Sequence, residues 1–186
     1  MAPGCRKTRR KSRMTIWPML EKTHDFENTV FDLTCRSLDL LAASAYKDET
    51  FTGFAFNVTL PGVSLSFDTA PDNQERDDYY PPDWPYECME YEVEAIGQLW
   101  EFGYGDIRSA LEALIDNTDQ DADLDALEAG FMHSMRKVMV RLETERAFER
   151  IQTGARLWKL VTQVDADTDA EEASLDALRS AATAVK

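Results

Sequence analysis

The chain has 186 residues, 44% of them apolar, and a formal net charge of −15. A chain of this length generally folds as one domain and buries enough apolar surface to need no disulfide or metal. No apolar run reaches the roughly 18 residues that a membrane-spanning helix requires. Three cysteines without a CxxC pair indicate neither a disulfide framework nor a zinc site. We therefore expect a cytoplasmic protein with no membrane association and no cofactor.

The charge is unevenly distributed along the chain. Residues 1–13 contain six basic residues and no acidic one, so the chain from Met14 onward holds 14 basic and 35 acidic residues, a charge of −21. A disordered basic arm of this kind is typical of contacts with nucleic acid or an anionic membrane. Alternatively, translation begins at Met14, which the lack of any periodicity in the segment favours. We expect residues 14–186 to form a single acidic domain.

Two elements are predicted before residue 70. Apolar residues recur every three to five positions from Asp25 to Tyr46, which predicts a helix that Thr23 or Asp25 would cap. Within 52–69, two alternating apolar runs flank Pro61-Gly62. This pattern predicts an antiparallel hairpin with one buried face and a turn at the Pro-Gly pair.

Residues 70–94 form a segment of different character, with nine acidic residues, one arginine and five tyrosines or tryptophans. Its prolines exclude a regular helix, and its aromatic side chains favour an ordered loop packed on the domain. We identify this acidic aromatic loop as the candidate partner-binding site. Its candidate residues are Tyr79, Tyr80, Asp83, Trp84 and Tyr86.

The rest of the chain alternates helical patterns with one strand. A helix is predicted to begin near residue 92, another to follow Gly103-Tyr104-Gly105, and a long third helix to span 124–147. A strand is predicted near 157–164, with a short helix after it. The predicted fold is therefore α+β: a small antiparallel sheet, made of the 52–69 hairpin and the strand near 157–164, packed against several helices.

Two acidic stretches resemble calcium-binding loops without completing the template. The template needs several oxygen ligands at fixed spacing and a glycine at its sixth position for the sharp turn. That position is Ala122 in the first stretch and Ala170 in the second. We therefore expect both stretches to face water, and no metal site is predicted. The oxygen-bearing residues at the template spacing are Asn117, Asp119, Asp121 and Glu128 in the first stretch and Asp165, Asp167, Asp169 and Asp176 in the second.

No catalytic motif is present. The sequence contains no GxSxG, GxxxxGK[ST], GxGxxG or HExxH. His133 has no serine or cysteine motif as a partner, and Cys35 and Cys88 are most simply buried thiols. The sequence favours a protein without enzymatic activity. The alternative is an enzyme of unknown reaction, metal-dependent or other, that uses the carboxylates of the acidic loops.

The negative charge favours one class of partner. A body with a charge of −21 repels a phosphate backbone, so we expect the folded body to bind no nucleic acid. The same charge speeds the encounter with a basic protein, and exposed aromatic side chains anchor interfaces. We therefore expect the acidic aromatic loop to contact a basic protein partner, the alternative being that the acidity serves solubility alone.

The order of the predicted elements carries a family resemblance over roughly residues 20–175. In chain order these elements are a helix, the paired strands Phe54–Leu60 and Val63–Thr69, the Pro-Pro-Asp-Trp84 segment, a long helix, and a strand ending in Val164-Asp165-x-Asp167. Together they resemble an uncharacterised bacterial family of single-domain cytoplasmic proteins near the SUKH-type immunity proteins of polymorphic toxin systems. The resemblance implies a binding role, that of neutralising a toxin, and no catalytic residue.

Overall fold

The structure, a computed structural model, describes residues 16–69, 81–117, 121–163 and 166–184. The described helices are α1 (Ile16–His24), α2 (Phe26–Ala42), α3 (Met89–Glu92), α4 (Glu94–Asp116), α5 (Asp121–Thr144) and α6 (Thr168–Ala184). The strands are β1 (Phe51–Thr59), β2 (Gly62–Asp68) and β3 (Thr153–Gln163), and short 3-10 turns occupy Pro81–Asp83 and Ala147–Arg150. The predicted α+β class, with a small sheet packed on helices, is confirmed. None of the described helices has the length and apolarity to cross a membrane. Residues 1–13 lie outside the described ranges.

The sheet is mixed, with strand order β2-β1-β3. The predicted antiparallel hairpin is present. Thr59 lies opposite Gly62, so the two turn residues are Leu60 and Pro61, which are joined by a cis peptide bond. The turn therefore begins one residue earlier than predicted. β3 pairs with β1 in the parallel sense, Phe56 lying opposite Val161. The antiparallel pairing expected for the third strand is therefore wrong. Three helices separate β2 from β3, a connection long enough to bring the chain back in the same direction as β1.

β1 is buried on both faces, although the alternating sequence predicts one buried face. Phe54 and Phe56 point into the main core and are fully buried. On the opposite face, Ala55 packs with its β3 neighbour Leu160 and with Trp84 in a second, smaller cluster. Because β1 is the central strand and each face has a cover, its small residues are buried as completely as its aromatic ones.

The helical layer is assembled around α5. A Cβ atom added to Gly130 of α5 would lie 2.5–2.7 Å from three atoms of the Trp17 side chain, so α1 packs directly on the α5 backbone. The Trp17 indole N–H donates a hydrogen bond to Ser134 Oγ at 3.1 Å, one turn further along α5. Phe26 of α2 completes the contact, its ring centroid lying 5.2 Å from that of Phe131. The sequence indicates α2 and α5 but not α1, since α1 is short and depends on this packing.

α4 is one continuous helix of 23 residues, so the break predicted at Gly103-Tyr104-Gly105 is wrong. Gly103 lets α4 approach α2 closely, because a Cβ there would lie 2.4 Å from a Leu33 methyl group. Tyr104 is fully buried, and its hydroxyl donates a hydrogen bond to the Pro61 carbonyl at 3.0 Å. Such tertiary contacts outweigh the roughly 1 kcal/mol by which a glycine disfavours a helix interior.

Replacing Gly130 by alanine tests the packing of α1 on α5. We expect the free energy of unfolding to fall by about 1–3 kcal/mol, because the added methyl group overlaps the Trp17 indole and α1 must move. Chemical denaturation measures the change.

The matched control is Gly105→Ala in α4, where nothing lies within 4 Å of the added Cβ. We expect this variant to be unchanged or stabilised by up to about 1 kcal/mol, the usual gain in helix propensity. An equal loss of stability in both variants would contradict the close approach of α1 to α5.

Candidate functional site

Only part of the predicted acidic aromatic loop lies within the described residues, since Tyr79 and Tyr80 fall outside them. Asp83 is exposed at the end of the 3-10 turn Pro81–Asp83. Trp84 is only 8% exposed, lies over Gly53, and packs against Trp158 with 5.9 Å between the ring centroids. The exposed aromatic anchor expected at Trp84 is therefore corrected to a core residue.

The segment that follows Trp84 covers the outer edge of β2. Tyr86 forms an isolated antiparallel bridge with Phe67, and its half-buried ring contacts Tyr46 edge-on at a centroid distance of 5.2 Å. The Ser66 hydroxyl donates to the Glu87 carbonyl beside this bridge. Trp84 and Tyr86 thus pack on the sheet, while Asp83 is exposed to solvent. The three described candidates do not form one exposed patch.

Glu90 of α3 ends this segment with a largely buried carboxyl. Its Oε1 accepts the Leu65 N–H at 2.8 Å, and its Oε2 is buried without a hydrogen-bond partner. Burial raises the pKa of Glu90 to about 7. A perturbed carboxyl is one mark of a catalytic acid. Glu90, however, accepts a backbone N–H at the outer edge of β2, which is a structural role.

The other candidate catalytic side chains stand apart from one another. Cys35 is buried in α2 and Cys88 is half-buried, and burial raises the pKa of both thiols. His133 is exposed on α5. In the described part of the chain, no three His, Cys, Asp or Glu side chains come together in an arrangement that could hold a metal ion.

The described members of the two calcium-like stretches have roles in the fold. The side chains of four of them make a hydrogen bond or an ion pair within the chain, and Asp119 and Asp165 lie outside the described residues. The partners are the Ala113 carbonyl for Asn117, Gln163 for Glu128, the backbone N–H groups of Asp169 and Ala170 for Asp167, and Arg179 for Asp176. Asp167 is thus the N-cap of α6, a position where a side-chain oxygen satisfies orphan N–H groups.

The surface charge is strongly polarised. Residues 81–130 hold 14 acidic residues and one basic residue, Arg108, whereas residues 131–163 hold seven basic and three acidic residues. The ion pairs of the described residues join cations between 136 and 179 to carboxylates of α2, α6 and the stretch 143–149. Within 81–117, all of which is described, no carboxylate belongs to such a pair. Among the described residues, uncompensated negative charge therefore concentrates on the exposed carboxylates of α3 and α4, which we call the acidic face.

An apolar cleft of about 460 Å³ lies beside this acidic face, between α2 and α4. Arg36 and Leu40 of α2 and Leu99 and Phe102 of α4 are among its lining residues. Phe102 is 84% exposed, an unusual state for a phenylalanine. The sequence does carry a signal for this cleft, because Phe102 falls outside the apolar stripe that buries α4, which is formed by Ile96, Trp100 and Tyr104.

The pH dependence of stability tests the burial of Glu90. Its pKa in the folded protein, about 7, exceeds the usual 4.5, so the folded state holds a proton that the unfolded state releases. The contribution of Glu90 to the free energy of unfolding should therefore fall as the pH rises from about 4.5 to about 7. Glu90→Gln cannot ionise and keeps an oxygen for the Leu65 N–H. Above pH 7 we expect it to be more stable than the wild type, by up to about 3 kcal/mol.

Chemical denaturation of both proteins between about pH 5 and pH 8 measures this difference. Glu87→Gln, which removes an exposed carboxyl from the same segment, is the control and should keep the wild-type dependence. Parallel pH profiles for the wild type and Glu90→Gln would contradict the buried carboxyl.

Comparisons of this chain with models of protein families, with curated proteins and with solved structures give no match.

Proposed function

We propose that this chain is a non-enzymatic, cytoplasmic binding protein that holds a basic protein partner on the acidic face formed by α3 and α4. The observation that carries the proposal is the set of carboxylates in residues 81–117, none of which is paired with a cation of the described chain. Unpaired like charges on one surface oppose folding slightly, so their concentration favours an external cation.

Electrostatics explains what such a face would do. A cationic partner is steered toward it and associates faster at low ionic strength, and salt weakens the attraction over a Debye length of about 8–10 Å. The partner would displace only water and counterions, because the carboxylates of Glu101, Asp106 and Glu112 are exposed and have no partner in the described residues. Binding is therefore compatible with the fold as it stands.

The resemblance to SUKH-type immunity proteins supports the same class of function. An immunity or inhibitor protein acts by occupying its target and needs no catalytic residue of its own. We therefore propose an inhibitor or immunity role, with a basic toxin-like protein as the target.

A capture experiment with the full chain as bait tests the proposal. We expect a basic protein from the lysate of the producing cells to be retained at low salt and released at high salt. The triple variant Glu101→Gln, Asp106→Asn, Glu112→Gln should bind the same protein about tenfold more weakly or worse, since three charges leave the acidic face. The affinity is measured with the purified partner by calorimetry.

The matched control removes three exposed carboxylates from other elements: Glu145→Gln, Glu149→Gln and Asp169→Asn. It makes the net charge less negative by the same three units, so it should keep most of the affinity. Capture of no basic protein, or an equal loss of affinity in both triple variants, would count against the acidic face.

A further inference from the structure

We propose that the cleft between α2 and α4 is the docking groove for one amphipathic, cationic helix, with Phe102 as its exposed apolar anchor. This inference rests on the proposed function and adds the place and the shape of the partner's binding element. Three observations support this inference: the exposed ring of Phe102, the carboxylates that flank the cleft, and the antiparallel direction of α2 and α4.

The groove follows two antiparallel helices. Gly103 of α4 packs against Leu33 of α2, and the Trp100 indole N–H donates to Ser37 Oγ at 2.9 Å. The residue numbers of these contacting pairs rise along α2 and fall along α4, so the two helices are antiparallel. The lining residues recur at helical spacing, from 36 to 40 on α2 and from 95 to 102 on α4. At 1.5 Å per residue the groove is about 10 Å long, which corresponds to two turns of a docked helix.

The floor and wall of the groove are apolar. Leu40 and Leu99 are half-buried, and the ring of Phe102 stands beside them at 84% exposure. Transfer of a phenylalanine side chain out of water favours binding, because the contribution grows with the apolar area buried. A helix that presents apolar residues at positions i, i+3, i+4 and i+7 would cover all three side chains at once.

The flanks of the groove determine the charge of the occupant. Asp32 lies one turn before Arg36 on α2, and Asp106 lies one turn after Phe102 on α4, so both carboxylates stand at the same end. Glu101 lies beside Phe102 on α4. All three are exposed, and none belongs to an ion pair of the described residues. Arg36 is the one cation among the described lining residues.

This charge distribution argues against a second copy of the chain as the occupant. Two copies docked through this groove would bring the same carboxylates together, and each chain carries a net charge of −15. Like charges juxtaposed in an interface cost several kcal/mol. A helix with lysines or arginines flanking its apolar stripe instead neutralises the flanking carboxylates while it buries Phe102.

A synthetic peptide tests the groove directly. The probe is an amphipathic helix of leucine and lysine, about 18 residues or five turns long, with leucine at i, i+3, i+4 and i+7. The reference peptide has the same composition in a scrambled order that breaks the apolar stripe. Binding to the full chain is measured by fluorescence anisotropy. We expect the patterned peptide to bind at least about tenfold more tightly than the scrambled one.

Three variants of the chain locate the binding. Phe102→Ala should weaken binding of the patterned peptide at least about tenfold, as expected for an aromatic residue that anchors an interface. Arg36→Glu should strengthen it, because the one cation among the described lining residues becomes an anion. Met19→Ala is the control: Met19 is 53% exposed on α1, away from the cleft, and its loss should leave the affinity unchanged. All three side chains are exposed, so unaltered thermal unfolding confirms that the variants remain folded.

Several outcomes would overturn the inference. Equal affinity for the two peptides would mean that charge alone attracts them. This result would exclude the cleft as a helix-binding site and would leave the proposed function intact. Undiminished binding by Phe102→Ala would place the contact elsewhere. A concentration-dependent dimer that Phe102→Asp abolishes would make a second copy the occupant. A rise in peptide affinity on deletion of residues 1–13 that Phe102→Ala abolishes would make this chain's own basic arm the occupant. Failure of the proposed function itself would appear separately, as a partner that binds the acidic-face triple variant as tightly as the wild type.

Discussion

The burial of β1 on both faces is the constraint on which the rest of the structure depends. A central strand that carries Phe54 and Phe56 on one face and Ala55 on the other needs a cover on each side. The helices around α5 provide one cover, and Trp84, which packs with Trp158 and Leu160 of the neighbouring strand β3, provides the other. Because β3 must reach the free edge of β1, the helical connection crosses over and the third strand arrives parallel.

This constraint explains why the described members of the predicted partner-binding site, Asp83, Trp84 and Tyr86, do not form one exposed patch. The segment after residue 80 has to cover small residues on the back of the sheet and to satisfy the outer edge of β2, so Trp84 and Tyr86 are used in packing. Glu90 completes the edge at the cost of a buried carboxyl whose pKa is raised to about 7. The charge of the region is left on the outward sides of α3 and α4, away from the cations of residues 136–179 that pair within the fold.

α4 links the core to the proposed interaction surface. Its stripe of Ile96, Trp100 and Tyr104 is buried, and Gly103 brings it against α2 closely enough to form a defined cleft. The opposite side of the helix is free to carry Phe102 and the unpaired carboxylates. An apolar side chain surrounded by charges of one sign suits a partner that supplies both apolar contact and the opposite charge.

The sequence by itself determined the features whose signal is local. The helical periodicity of α2 and α5, the alternation of the β1–β2 hairpin and the acidity of the body are all present within short windows. Tertiary structure alone decided the parallel pairing of β3, the continuity of α4 through Gly103 and Gly105, the docking of Trp17 on Gly130 and the burial of Trp84. Each of these depends on contacts between residues far apart in the chain, and no local propensity encodes such contacts. The acidic face is an intermediate case, because its charges are visible in the sequence but their lack of ion-pair partners among the described residues follows only from the fold.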